Sequence, residues 1–254
     1  MLTLQWVRRY GHSEGEYSKE SSQLLKLKAG LLRQESRNDR FGFTLAEVLV
    51  TLGIIGVVSA MTVPTLMQNY QRKSYVTQLH KVYNELSQAL LQYQTDRNAL
   101  NLKEAGINSN DSVINFYRTY FKNVKVCDSM SNCFADTYRK MDGTVTAEWS
   151  NNYTSFVLPS GASVRPVYSL EGNKIMNIAV DVNGTAGPNI VGRDLFGLYV
   201  YNNSLIDETP PDESSNAPLT KEQRDELFNS SCIKTTSVNG CFGKILNDNW
   251  EMTY

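Results

Sequence analysis

Between Phe43 and Met67 the chain reads FTLAEVLVTLGIIGVVSAMTVPTLM, and its one charged residue is Glu47. A carboxylate in hydrocarbon costs about 2.5–3.5 kcal/mol at a helix centre and less near an end, so Glu47 calls for a partner of opposite charge. Cleavage between Gly42 and Phe43 would create one: an α-ammonium four residues ahead, with an ordinary pKa near ~7.7–8.0. One helical turn separates the two groups, which lets them pair within a chain or between neighbouring chains. The chemistry on offer is charge pairing rather than catalysis.

Three other sets of residues have reactive or ligating types. Cys127, Cys133, Cys232 and Cys241 all follow the apolar run. An even count in an exported segment favours disulfides, and sequence allows three connectivities. The local pairs Cys127–Cys133 and Cys232–Cys241 are favoured because they close short loops that contain turn formers. Zinc is disfavoured: five and eight intervening residues miss the CxxC spacing, and no His lies near any Cys. The only histidines are His12 and His80. His80 has no neighbouring nucleophile in sequence and reads as a solvated helix residue. Asp181-Val182-Asn183-Gly184-Thr185-Ala186-Gly187-Pro188-Asn189, then Gly192-Arg193-Asp194, is dense in turn formers. It reads either as a tight connection between strands, with Asn-Gly supplying positive φ, or as a calcium site using Asp181, Asn183, Asp194 and loop carbonyls. It is no EF-hand, because the glycine comes too early.

The elements that must position these groups begin with the apolar run. At 1.5 Å per residue, a helix of that length spans roughly 37 Å, enough for a hydrocarbon core of ~30 Å. A buried core helix is disfavoured by the uncharged stretch from Val48 to Thr65. A secretory signal peptide cut after Val58-Ser59-Ala60 remains a reading, but it leaves Glu47 without a purpose. A retained anchor, processed at its front, uses Glu47.

Gly42-Phe43-Thr44-Leu45-Ala46-Glu47, followed by an apolar helix with Pro64, resembles the prepilin-type cleavage and methylation motif of type IV pilins and type II secretion pseudopilins. The family pattern has Gly before the cut, Phe after it, Glu as fifth mature residue and Pro as twenty-second, and Gly42, Phe43, Glu47 and Pro64 match it. Phe41 stands where the family usually has Lys or Arg, with Arg40 one position away. The 42-residue leader is long for the family and is read as including residues ahead of the true start. The resemblance implies a division into leader 1–42, membrane and filament-core helix 43–67 and exported domain 68–254. It further implies cleavage by a prepilin peptidase, N-methylation of Phe43, and assembly with other subunits on an inner-membrane platform. The localisation implied is the inner membrane, single-pass, with the C-terminal domain outside the cytoplasm, and then an envelope or surface filament.

Further along, Tyr75, Val76, Leu79, Val82, Tyr83, Leu86, Ala89, Leu90 and Tyr93 recur at helical spacing, so Phe43 to about Arg97 reads as one long helix that Pro64 should bend or locally open. A second helix is expected over Asp111–Val124, capped by Asp111 or Ser112. Strands follow at Tyr153–Leu158, Ala162–Tyr168, Lys174–Val182 and Phe196–Tyr201. Leu205–Leu219, acidic and Pro-rich, reads as an exposed loop, and Thr220 with Gln223 as a capping box opening a helix to Phe228. A last strand is expected through Phe242–Leu246 and Trp250–Thr253. The fold class is α+β: a long N-terminal helix, its first half transmembrane, packed on a small antiparallel sheet.

Composition narrows function further. Residues 1–42 carry eight Lys+Arg against five Asp+Glu, while the remainder carries 17 against 21. A formal charge of −1 and 10% aromatic residues exclude a highly basic nucleic-acid binder and a charge-rich disordered chain. There is no P-loop and no GxGxxG, and the adjacent basic pairs after residue 42, Arg72-Lys73 and Arg139-Lys140, make no nucleic-acid stripe. The expectation is a non-enzymatic filament subunit in contact with the lipid membrane, with no cofactor unless calcium. The alternative is a secreted or membrane-anchored ligand-binding domain with a signal-like front.

Overall fold

The structure is a computed structural model, and it describes residues 44–145, 152–212, 214–233 and 238–254. The expected leader 1–42 and Phe43 lie outside the described residues. The chain divides into two compact units, Met1–Val58 and Ser59–Tyr254, with the boundary inside the apolar helix.

Helix α1 spans Leu45–Asp96 and contains Pro64. Proline has no N–H to give the Ala60 carbonyl, yet the helix continues through it. Up to Tyr70 every residue of α1 is exposed. Beyond it, Val76, Leu79, Val82, Leu86, Ala89, Leu90 and Tyr93 are buried in steps of three and four, so one stripe enters the core as the periodicity predicts. Tyr75 and Tyr83 pack beside the stripe, partly buried. Asn98, at φ 50°, turns the chain out of the helix.

Helix α2 spans Asn110–Tyr120, shifted from the expected Asp111–Val124. Its cap is Ser109, not Asp111 or Ser112: the Ser109 hydroxyl accepts from the Ser112 N–H, and the Ser112 hydroxyl accepts from the Ser109 N–H at 3.0 Å. The helix stops early because Phe121 is extended, and the Asn123 side chain donates to the Tyr117 and Phe121 carbonyls instead. Val113, Phe116 and Tyr117 are buried, with Phe116 edge-on to Tyr93 and Tyr117 stacked on Phe156.

Among the described residues, six strands form one antiparallel meander in chain order: β1 Lys125–Cys127, β2 Ser155–Val157, β3 Ser163–Glu171, β4 Lys174–Asp181, β5 Leu195–Tyr201 and β6 Ile206–Asp207. The four expected strands are present with shifted ends, and β1 and β6 are additions. Pairs such as Phe156↔Val164 and Ile178↔Leu198 hold the register. All of β5 is buried, and its outer residues Tyr199 and Tyr201 form a small second core with Ala217 and Leu219.

Two expectations are corrected. Leu205–Leu219 is not an exposed loop: it contributes β6, and Asp207 and Glu208 are buried within it. Its acids enter the interior because donors converge on them. Arg224 grips Asp207 through Nε at 2.8 Å and Nη2 at 2.5 Å, the Leu219 N–H adds a third bond, and the Gly243 and Thr209 N–H groups reach Glu208. Nor does Phe242–Leu246 form a strand; Cys241–Asn247 is helix α4. Cys241, Phe242 and Ile245 are buried at one-turn spacing, and Gly240, at φ 85°, bends the chain into the helix. Trp250–Thr253 carries no strand either. Helix α3, Lys221–Leu227, opens with the expected Thr220/Gln223 capping box and passes into a π-helical turn at Phe228–Cys232.

The result is α+β, a long N-terminal apolar helix followed by a small six-stranded antiparallel sheet, the layout that the pilin resemblance implies.

Candidate functional site

At the front of α1 the chain closes on itself. Glu47 Oε2 accepts from the Thr44 N–H at 2.9 Å and the Thr44 hydroxyl at 3.0 Å, and the Glu47 N–H donates back to that hydroxyl at 3.2 Å. This is a capping box at the start of a helix, with the acid in the first turn where the helix dipole favours it. The Thr-x-x-Glu spacing was legible in the sequence but overshadowed by the apolar run. The Glu47 carboxylate is exposed, so the cap leaves it open to a further cation.

Behind it the side chains face outward. Leu49, Val50, Ile54, Ile55, Val57, Met61 and Leu66 are all more than half exposed, and the most apolar 18-residue stretch of α1 has none of its residues buried. Leaving roughly seven large aliphatic side chains in water forgoes about 1.5–3 kcal/mol each, so this surface demands lipid or another protein. Gly53 and Gly56 have open space around them. Pro64 lies in the same helix.

The cysteines join locally, Cys127 to Cys133 and Cys232 to Cys241. The first bond ties β1 to the connection that follows it, and Ser163 at the start of β3 donates to the Cys133 carbonyl. The second ties the π-helical turn to the start of α4. Gly192 presses against this second bond, at φ 80° with space for no more than a hydrogen.

The turn-rich loop brings Asp181, Asn183 and Asp194 to one end of the β4–β5 hairpin. Both acids are fully buried. Asp181 accepts from the Tyr138 hydroxyl at 2.5 Å and the Asn183 N–H at 3.1 Å. Asp194 accepts from the Ile190 and Asn189 N–H groups at 2.6 and 2.7 Å. Desolvation raises the carboxyl pKa of both, Asp181 to about 7. Asn183 Oδ1 and Asn189 Oδ1 are buried and receive no hydrogen bond among the described residues. Hard oxygens without donors, beside two acids, suit calcium chemistry. Among the described residues there is no group of three His, Cys, Asp or Glu side chains placed for a metal.

His80 stacks on Trp250, centroids 3.9 Å apart, and is half-buried rather than solvated. Sequence reasoning also missed Asp207 and Glu208, hidden by the acidic composition around them, and gave no separate role to Arg72 or Arg193.

The family model for the prokaryotic N-terminal methylation motif matches residues 37–63. That motif is the type IV pilin and pseudopilin signature, and the matched stretch contains Gly42, Phe43, Thr44 and Glu47, ending one residue before Pro64. No curated protein and no solved structure matches the chain.

Proposed function

We propose that this protein is a structural subunit, a pilin or pseudopilin, of an envelope filament of the type II secretion or type IV pilus kind. In this reading a prepilin peptidase cuts between Gly42 and Phe43, and the Phe43 amine is methylated. The apolar half of α1 holds the subunit in the inner membrane, with the sheet domain outside the cytoplasm. An assembly platform then moves the helix out of lipid and into a bundle of identical helices, where Glu47 pairs with a neighbour's Phe43 amine.

One observation carries the reading: the methylation motif coincides with the front of α1, 45–67, where every apolar side chain is exposed and the one acid, Glu47, stands at the capped end. A soluble ligand-binding domain with a discarded signal has no use for that coincidence. Intact-mass measurement and N-terminal sequencing of the protein from its host test it. The expected mature chain starts at Phe43 and is one methyl group heavier than its sequence. A start at Met61 would remove the reading.

A calcium ion at Asp181, Asn183 and Asp194, joined by Asn189, is a second, independent reading. It is supported by the two donor-free amide oxygens beside the acids. Bound there, calcium would hold the β4–β5 connection by its charge; it has no chemical step to perform.

A further inference from the structure

Five residues beyond Met67, roughly 7.5 Å along the helix, α1 carries Arg72 and Lys73. Arg72 Nε is buried and has no hydrogen-bond acceptor among the described residues. It borders a cavity of about 590 Å³ whose wall includes Arg72, Lys73, Thr77, His80, Trp250 and Glu251. A second cavity, of about 260 Å³, also contains Arg72, together with Arg193 and Tyr75. The ion pairs of the described residues involve none of Arg72, Lys73 and Arg193. Burial, and then the charge of Arg72, holds the Arg193 guanidinium below its usual range. Arg72 and Lys73 line the larger cavity with Glu251 as its one acid, Arg72 and Arg193 line the smaller one, which has none, and a buried guanidinium N–H lacks an acceptor among the described residues. An unsatisfied donor of this kind carries a desolvation penalty that an anion would relieve.

We infer that the cavity between Arg72, Lys73, His80 and Trp250 binds a phosphate group, presented by an anionic phospholipid. Guanidinium suits phosphate through paired N–H donors, and Lys73 and Thr77 add a charge and a hydroxyl. The lipid source follows from position. Ser59–Met67 is exposed and apolar, and Arg72 lies where headgroups begin if that helix enters a bilayer. Trp250, flat against His80, is the amphipathic aromatic favoured at this depth. The lipid source rests on the membrane reading above, whereas phosphate binding does not.

The test uses the full chain in nanodiscs, and incorporation itself reads out the membrane reading separately. Nanodiscs containing phosphatidylglycerol should raise the melting temperature by ~3 °C or more over pure phosphatidylcholine. Arg72→Gln and Lys73→Gln should abolish the rise, while Lys103→Gln, exposed and remote, keeps it. Arg72→Gln should melt as the parent does in phosphatidylcholine. Inorganic phosphate producing the same Arg72-dependent rise in phosphatidylcholine discs upholds the phosphate site and makes the free anion its source. If the chain does not enter discs, the phosphate arm in detergent still decides the site. No Arg72-dependent rise with lipid or phosphate overturns the inference, as does a rise produced by duplex DNA alone.

Discussion

Glu47 and Thr44 hold each other in a reciprocal cap, the carboxylate taking both the N–H and the hydroxyl of Thr44 at 2.9 and 3.0 Å. The acid is thus held at the helix front, with its charge still exposed, before any neighbour arrives. Glu47→Ala should leave membrane insertion intact or slightly improved, since a charge costly to bury is gone. Assembly should fail or slow, because an incoming ammonium would enter the apolar bundle unpaired, at a cost of ~3–5 kcal/mol. Glu47→Gln should be nearly as poor, and Thr44→Ala milder, losing about 1 kcal/mol of cap. Sheared-filament yield, with membrane-fraction levels as control, measures all three. Normal filaments from Glu47→Ala would sink the pairing mechanism.

Both cysteine pairs should be oxidised in the protein from its host if the domain is exported as proposed. Alkylation of denatured protein without reductant is expected to label no thiol. Labelling of all four would place the domain in a reducing compartment.

Glu208 gives the fold a pH dependence. It is fully buried among the Thr209 and Gly243 N–H groups, with Asp207, Arg224 and Tyr201 nearby, and burial lifts its pKa from 4.5 to about 7. The folded state then holds a proton that the unfolded chain has released between those values. Stability from this group is complete below about pH 4.5 and declines as pH rises to about 7, by on the order of 3 kcal/mol at ~1.4 kcal/mol per unit. Melting temperatures from pH 4.5 to 8 should fall, and Glu208→Gln should remove its share of the slope. An unchanged slope in that variant would assign the effect to other carboxyls.

Gly240 is irreplaceable on steric grounds. A Cβ there would lie 2.3 Å from the Leu227 carbonyl oxygen, at φ 85°. Gly240→Ala should cost about 2–4 kcal/mol through strain and overlap combined. A denaturant midpoint equal to the parent's would refute the close approach of α3 and α4.

Calcium in millimolar excess should raise the melting temperature, and Asn183→Ala with Asn189→Ala should abolish the rise. No shift in the parent would leave the Asp181–Asp194 loop a plain strand connection.

What the sequence determined by itself was whatever depends on local order along the chain. The cleavage motif, the apolar run, the core stripe from Val76 to Tyr93 and the Thr220 cap are spacings, and spacing is read directly. Strands β2 to β5 followed from residue type and from the turns between them. Tertiary structure alone decided where polarity and composition mislead. Asp207 and Glu208 read as solvent-loving until Arg224 and backbone N–H groups from distant segments surround them. Cys241–Asn247 reads as strand by residue type, but Gly240 and one buried helical face make it α4. Arg72 is an ordinary surface cation in sequence. Only packing near Trp250 and Arg193 buries its Nε without an acceptor, because burial is a property of neighbours that sequence distance does not reveal.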